Sequence, residues 1–486
     1  MAKTDEVLIE VRPGRVRTAL INAGRLVELI VEDETRPSVV GNIYLGRIEK
    51  VIESLNAAFV DLGLNRSGFL ALAEARPRNT GGDSKGSISK YLREGEKVVV
   101  QVLRDPFEDK GPKLTTHVAL TARTVILTPG DPAIRISRQI ENKEIRTRQE
   151  NLLKELAGPE EGFIVRTAAQ KASDDDILAD VTALRDAWAQ VLVKFEATSS
   201  PFLLFGEPDG VLKALRDLVP ADARRVVIDD VSAYIRARAH LEKQAPALLD
   251  RLIHHKETSP LFASEELLEN IDQALSARVE LPSGGSLIFS ETPALVAIDV
   301  NVAGASAGGR EQSAFKTNLE AAVEIARQIR LRNLSGLLVI DFISMKKRDN
   351  GTKVLEILVH DVADDPNQVF VGGFTRFGLV EMTRKRTRQS LASSLGASCQ
   401  ACSGSGAGPS AQTIAYQALD RLAVEAGADP SQKLELITSE SVAVTLKGPV
   451  NKALSAFEER LGFRVTINID ADLRGEGFEV VRNVSK

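Results

Sequence analysis

Cysteine is nearly absent: the 486 residues contain two, Cys399 and Cys402. That excludes a disulfide framework and fits a reducing compartment. Also missing is an excess of positive charge, because 62 Lys and Arg stand against 67 Asp and Glu for a formal charge of −5. A chain-wide basic coat is therefore excluded, and any nucleic-acid surface must be local. No apolar run approaches the roughly 18 to 20 residues that cross a bilayer, and the opening MAKTDEVLIE is charged where a leader would be apolar. The expected location is cytoplasmic. Heptads and low-complexity tracts that would suggest a filament are lacking as well. What is present is 43% hydrophobic residues in a length that allows three or four domains.

Residues 6–32 carry three strand-like runs, VLIEV, RVRTALI and RLVELIV, the last two separated by a short turn with Asn22 and Gly24. From residue 41 the pattern changes to short glycine-punctuated strands (NIYLGRIEKVI, AAFVDLG, SGFLAL, KVVVQVLRD), which suit a small barrel of the OB type. Phe59 and Phe69 lie in this region near Arg47, Arg66, Arg104 and Lys110. Such a mixture serves base stacking and backbone attraction, and it equally describes two core phenylalanines beside solvated cations. Further on, GFIVRTAA (162–169) reads as a strand, and DDILADVTALRDAWAQVLVKFEA as a helix burying one face. The neighbours His254 and His255 point in different directions on a helix and make a poor metal pair.

The most informative stretch is 281–345. Two apolar strands, ALVAIDVN (294–301) and GLLVIDFI (336–343), each carry an Asp near the C-terminal end, and a long helical pattern separates them. In that helix Phe315, Leu319, Val323, Ala326 and Ile329 mark an apolar stripe. Strand, helix, strand in this order predicts a crossover with the two strands parallel and adjacent, so that Asp299 and Asp341 share one sheet end. Aspartate is disfavoured in strands and costly to bury unpaired. Two in equivalent positions suit a hard divalent cation such as Mg²⁺, which takes one or two carboxylates and keeps water and phosphate oxygens for the rest. Each could equally cap the next loop. Asn301, two residues after Asp299, falls on the same strand face.

TRFGLVEMTRKRTRQSL (375–391) holds Arg376, Arg384, Lys385, Arg386 and Arg388 against Glu381 alone, a cation density that favours a polyanion partner. CQACSGSG (399–406) follows. Cys399 and Cys402 resemble one knuckle of a zinc ribbon, and a structural zinc wants four ligands. A His or carboxylate, or the same pair from a second chain, would complete it; a redox CxxC is the competing reading. From residue 413 the order helix, strand, helix, strand, strand describes a compact appended domain.

Together, NIYLGRI, NAAFVDLG, GFIVRTA, LPSGGSLIF, ALVAIDVN, TNLEAAVEIARQIRLRNLSGLLVIDFI, TRFGLVEMTRKR and CQACSGSG, in this order over nearly the whole chain, resemble the catalytic half of the ribonuclease E/G family of bacterial endoribonucleases. The resemblance implies an α/β multidomain fold: an RNase H-like region (1–39 and 212–279) interrupted by an OB-fold RNA-binding domain (40–119) and a 5′-sensor region (120–211). A DNase I-like catalytic domain (280–397), a zinc link (398–412) and a small α/β domain (413–486) complete it. By the same resemblance Asp299 and Asp341 hold Mg²⁺ with Asn301 beside them, and water attacks a phosphodiester of single-stranded, A/U-rich RNA to leave a 5′-phosphate and a 3′-hydroxyl. Phe59, Phe69 and Lys110 grip RNA, with Arg376 near the catalytic site. Arg166 and Thr167 sense a 5′-monophosphate with Ile126 as the apolar wall, a guanidinium and a hydroxyl being apt for a terminal phosphate. Cys399 and Cys402 share one Zn²⁺ with a second chain, giving a homodimer that family members pair into tetramers. Ribosomal and transfer RNA processing and messenger decay are the implied work.

The chain departs from the family pattern at three places. Where a basic, glycine-containing loop usually follows Asn301, it reads VAGASAGG with no cation until Arg310; Ser344 replaces a frequent Asp; and Gln139 replaces a frequent Arg beside the sensor. These changes keep open a second reading, an RNA-binding protein on the same scaffold with weakened chemistry.

Overall fold

The computed structural model describes the chain except residues 1–3, 34–37, 76–85, 107–109, 303–308, 397–408, 429–432, 471–472, 474–476 and 484–486. Cys399 and Cys402 and most of the altered loop after Asn301 thus lie outside the described residues. The chain divides into two compact units, Met1–Ser394 and Leu395–Lys486.

The first unit begins with the antiparallel meander read from the sequence. Strands Glu6–Arg12, Arg15–Asn22 and Arg25–Asp33 pair in order, and the last two are joined through Ala23 and Gly24, both at positive φ (47° and 80°). That conformation matches a tight hairpin turn and is why a glycine stands there. The sheet is completed from far along the chain: Arg225–Ile228 lies parallel to Glu6–Arg12, and Leu252–His254 lies parallel to Arg225–Ile228. About 190 residues are thus inserted within one sheet.

The insertion builds two further sheets. Ile43–Ile52, Ala57–Asp61, Gly68–Ala71, Lys113–Thr115 and Lys97–Arg104 pair successively, and the last pairs back onto the first, which closes a five-stranded barrel. Closure leaves no unpaired edge, and Ile48, Val60, Leu70, Val100 and Leu114 fill the interior. The second sheet orders Ile134–Ile136, Glu161–Val165, Val125–Pro129 and Leu120–Thr121, with helix Asp174–Ala197 packed on it through Ile177, Val181 and Leu184. A capping box between Ser173 and Asp176 starts that helix. At Gly162 an added Cβ would collide with the Asp131 carbonyl oxygen, so the strand can cross the 129–133 turn only without a side chain.

Residues 278–384 form a six-stranded sheet ordered Arg278–Glu280, Ser286–Glu291, Val296–Asn301, Gly336–Asp341, Leu379–Arg384, Val369–Phe374. Only Val296–Asn301 and Gly336–Asp341 run parallel, as the crossover predicts. Alternate residues Ile298, Val300, Leu338, Ile340, Val380 and Met382 face helices Arg310–Leu331 and Arg348–Val362 and make one core. The long helix differs from the expected stripe: Ala321, Ala322, Ile325 and Ile329 are fully buried, whereas Val323 is exposed and Phe315 and Leu319 pack at the margin. The cause is that this helix is covered on two sides. Arg327 donates to the Leu26 carbonyl (2.6 Å), Arg330 pairs with Glu28 (2.8 Å) and Arg25 with Glu324 (2.9 Å), which ties it to the first sheet.

The second unit orders its three strands Thr466–Ile469, Lys433–Thr438, Phe478–Asn483, with helices Ala411–Ala428, Glu440–Lys447 and Asn451–Leu461 packed through Leu422, Leu446 and Phe457. Glu440–Lys447 is a helix that the sequence reading missed, because its eight residues directly follow a strand and are too short for a clear period.

Candidate functional site

Asp299 and Asp341 are exact cross-strand partners in the parallel pair, on strands spaced about 4.8 Å apart. Both are exposed, on the side of their strands opposite the helices, while their neighbours Ile298, Val300, Ile340 and Phe342 are buried. Asn301 donates from Nδ2 to Asp299 Oδ2 at 2.8 Å. Among the described residues neither carboxylate is in an ion pair, and Asp341 caps no helix. Two adjacent negative charges without a cation are a poor resting arrangement and a good donor set for Mg²⁺, which needs no more than one or two carboxylates from protein. Among the described residues no group of three or more His, Cys, Asp or Glu offers an alternative metal cage.

Helix Arg310–Leu331 fixes the loop beyond Asp341. Asn318 donates to the Ile343 carbonyl (2.8 Å) and accepts from the Ile343 amide (3.1 Å). Glu311 accepts from the amides of Lys346 (2.8 Å) and Lys347 (3.1 Å) and from Asn350 (2.8 Å), which hold its carboxyl below the usual value. This loop presents Lys346, Lys347 and Arg348 to solvent, with Ser344 also exposed. The three cations were missed in the sequence, although KKR five residues past an aspartate-terminated strand was a usable signal. Arg376 lies exposed in the turn before Leu379, the residue paired with Asp341.

The run at 384–388 is not one solvent-facing patch. Arg384 has its side chain fully buried, pairs with Asp365 (2.8 and 3.1 Å) and donates to Asn333 Oδ1 (2.8 Å) and the Leu334 carbonyl (3.0 Å). Arg388 pairs with Glu28 at 2.6 Å. Only Lys385 and Arg386 of that run are exposed without an ion pair described. The expected polyanion surface shrinks to these two, because alternation along Leu379–Arg384 turns Arg384 toward the core.

On the barrel, Phe59 and Phe69 are direct cross-strand partners with ring centroids 5.9 Å apart in an edge arrangement. Both are half-buried, so they are not barrel core. Lys50 pairs across from Phe59 and Lys113 across from Phe69, giving a Lys–Phe–Phe–Lys row over four strands. Lys50 and Lys113 were not singled out in the sequence; period-two spacing alone does not reveal register between strands. Lys110 is exposed on the approach to Lys113.

In the four-stranded sheet, Thr167 Oγ1 lies 3.0 Å from Ser137 Oγ and donates to Gln139 Oε1 (2.8 Å). Arg166 follows the strand, and Ile126 pairs with Ile164 on the same face. Arg166 is already engaged: Nη1 donates to the Ala122 carbonyl (2.7 Å) and Nη2 pairs with Asp217 (2.9 Å). Burial pushes the Asp217 carboxyl up, but Arg216 and Arg166 outweigh it and hold it below its ordinary value. Arg123, buried nearby, donates to the Leu215 and Val219 carbonyls.

The family model described as "Ribonuclease E/G family" matches residues 119–387, more than half of the chain. A second, described as "RNase E/G, Thioredoxin-like domain", matches residues 398–483. Ribonuclease G of Salmonella typhimurium and ribonuclease G of Escherichia coli (strain K12) are each 34% identical over 98% of this chain and 99% of their own length. Ribonuclease E of Haemophilus influenzae is 35% identical over 96% of this chain, which spans 51% of that relative. No described helix is long and apolar enough to cross a membrane.

Proposed function

The chain belongs to the ribonuclease E/G family and is an endoribonuclease of that type, and from this premise we propose that it hydrolyses single-stranded, A/U-rich RNA with Mg²⁺ held by Asp299 and Asp341. The observation that carries the reading is the register that sets these two exposed carboxylates side by side with Asn301 bonded to one of them. When bound, Mg²⁺ supplies Lewis-acid stabilisation of charge developing on the phosphate and activates a water nucleophile. Asn301 orients Asp299, and Asn318 and Glu311 fix the loop that follows Asp341. Lys346, Lys347, Arg348 and Arg376 attract the phosphate backbone, which offsets the missing cations after Asn301. The water oxygen bonds to phosphorus and gives up a proton to solvent as the P–O3′ bond breaks, the leaving 3′ oxygen takes up a proton from solvent to become a hydroxyl, and the phosphate stays on the 5′ side of the downstream fragment.

The barrel row Lys50, Phe59, Phe69, Lys113, with Lys110 beside it, has the aromatic and cationic composition of a single-strand platform. Arg166 and Thr167, with Ile126 as wall, form the 5′-monophosphate pocket in this reading. A phosphate entering it competes with Asp217 for the Arg166 guanidinium, a selective device, since a neutral 5′-hydroxyl cannot compete. The insertion of barrel and sensor into one five-stranded sheet supports the reading of 1–39 and 212–279 as an RNase H-like region, and the aspartate-bearing sheet supports the reading of 280–397 as a DNase I-like domain. Cys399 and Cys402 would hold half of a tetrahedral zinc whose other half comes from a second chain, giving the homodimer and, by pairing, a homotetramer. Work in cytoplasmic RNA processing and decay completes the proposal. The test is product analysis with a 5′-monophosphorylated oligoribonucleotide: cleavage with Mg²⁺ and none in chelator, with 5′-phosphate and 3′-hydroxyl ends. RNA bound but uncut in Mg²⁺ would favour the weakened RNA-binding protein instead.

A further inference from the structure

Among the described residues of the first unit, the most exposed large apolar side chain is Phe377, at 90%. It occupies the tip of the hairpin between strands Val369–Phe374 and Leu379–Arg384, beside exposed Arg376. The turn that holds it is built rather than slack. The Thr375 amide donates to the Leu379 carbonyl (2.8 Å), the Gly378 amide to the Thr375 carbonyl (3.0 Å), and Thr375 Oγ1 accepts from the Phe377 and Leu379 amides (3.3 and 3.2 Å). Gly378 takes φ +83°, a conformation that suits glycine. At the base of the turn Phe374 packs against Phe342, ring centroids 6.1 Å apart, and Phe342 directly follows Asp341. Since Leu379 is the cross-strand partner of Asp341, the turn projects from the same sheet end as the two carboxylates, and Phe377 stands two residues, about 7 Å of chain, from that partner.

Leaving a phenylalanine in water at the tip of a bonded turn wastes apolar surface unless something covers it. A face open to solvent beside a cation, at the margin of a phosphate-directed carboxylate pair, fits a nucleobase: the π-face stacks while Arg376 meets the adjoining phosphate. We propose that Phe377 is a stacking platform for a base flanking the scissile phosphate, a positioning role that sets which phosphodiester is presented to Asp299 and Asp341. This deepens the function proposed above and rests on it.

The test pairs protein and substrate changes. Phe377→Ala and Phe377→Trp are compared with wild type on a 5′-monophosphorylated single-stranded oligoribonucleotide of one cleavage site, intact or abasic at each nucleotide flanking that site. Stacking predicts that Phe377→Ala lowers kcat/KM about tenfold, the scale of losing one base–aromatic stack, mainly through KM. It also predicts that one abasic position costs wild type the same factor and costs Phe377→Ala nothing further, and that Phe377→Trp restores activity. Independent, multiplying penalties at every position, or unchanged kcat/KM in Phe377→Ala with wild type active, would overturn the stacking role alone. So would a drop in native mass in Phe377→Ala, which would make the residue a contact between copies of the chain. A wild type that cleaves no RNA in Mg²⁺ would overturn the underlying reading together with this one.

Discussion

Arg384 shows what a single residue can hide. In the sequence it belongs to a basic run; in the fold it is a core residue held by Asp365, Asn333 and Leu334. Nothing local distinguishes the two fates, because the partner carboxylate lies 19 residues away and the turn of the strand decides which way the guanidinium points. Removing one member of a buried pair costs about 3 to 5 kcal/mol. Arg384→Ala is therefore expected to lower the unfolding free energy by that amount in denaturant titration, whereas Lys385→Ala leaves stability unchanged and reduces the salt dependence of RNA binding. Equal stability of the two variants would contradict the assignment. Asp299 and Asp341, by contrast, were legible, since each closes an apolar run where aspartate has no packing reason to be.

At the scale of elements, the crossover between those aspartates was readable from order alone, while the buried face of its helix was not. A helix covered by its own sheet on one side and by strand Arg25–Asp33 on another cannot show a single apolar stripe, and polar Thr317, Asn318, Glu324 and Gln328 are buried where they brace neighbours. Glu28 is the pivot of that second contact, meeting Arg330 and Arg388. Burial pushes its carboxyl up, but the two arginines outweigh it, so it titrates below its ordinary 4.5. The sign follows: the stabilisation it provides is fully present above about 4.5 and is lost as the pH falls through the lower folded value. Glu28→Gln is expected to cost about 3 kcal/mol at neutral pH, and much less in acid, when followed by denaturant unfolding. A penalty independent of pH down to strong acid would contradict the coupling.

The whole molecule is the scale at which the sequence is least explicit. Strands at 6–33 and 225–254 share a sheet across an insertion that forms a barrel and a second sheet, and no local period encodes that return. The barrel itself was foreseeable from short glycine-bounded strands, its closure and the Lys–Phe–Phe–Lys row only from register. Two cysteines per chain are read as half a zinc site, which makes assembly a prediction: about one zinc per two chains, and a dimer that Cys399→Ser weakens in native mass measurement. An unchanged dimer after zinc removal would contradict it.

In the proposed function the adjoining carboxylates, and not the fold around them, carry the chemistry. Its most direct measurement is Mg²⁺-dependent cleavage of a 5′-monophosphorylated single-stranded RNA by Asp299→Asn and Asp341→Asn, with RNA affinity measured on the same preparations. Cleavage is expected to fall by more than about a hundredfold in each, the scale already reached when outer ligands of a metal are altered, with affinity largely retained. Wild-type cleavage rates in both variants would contradict it.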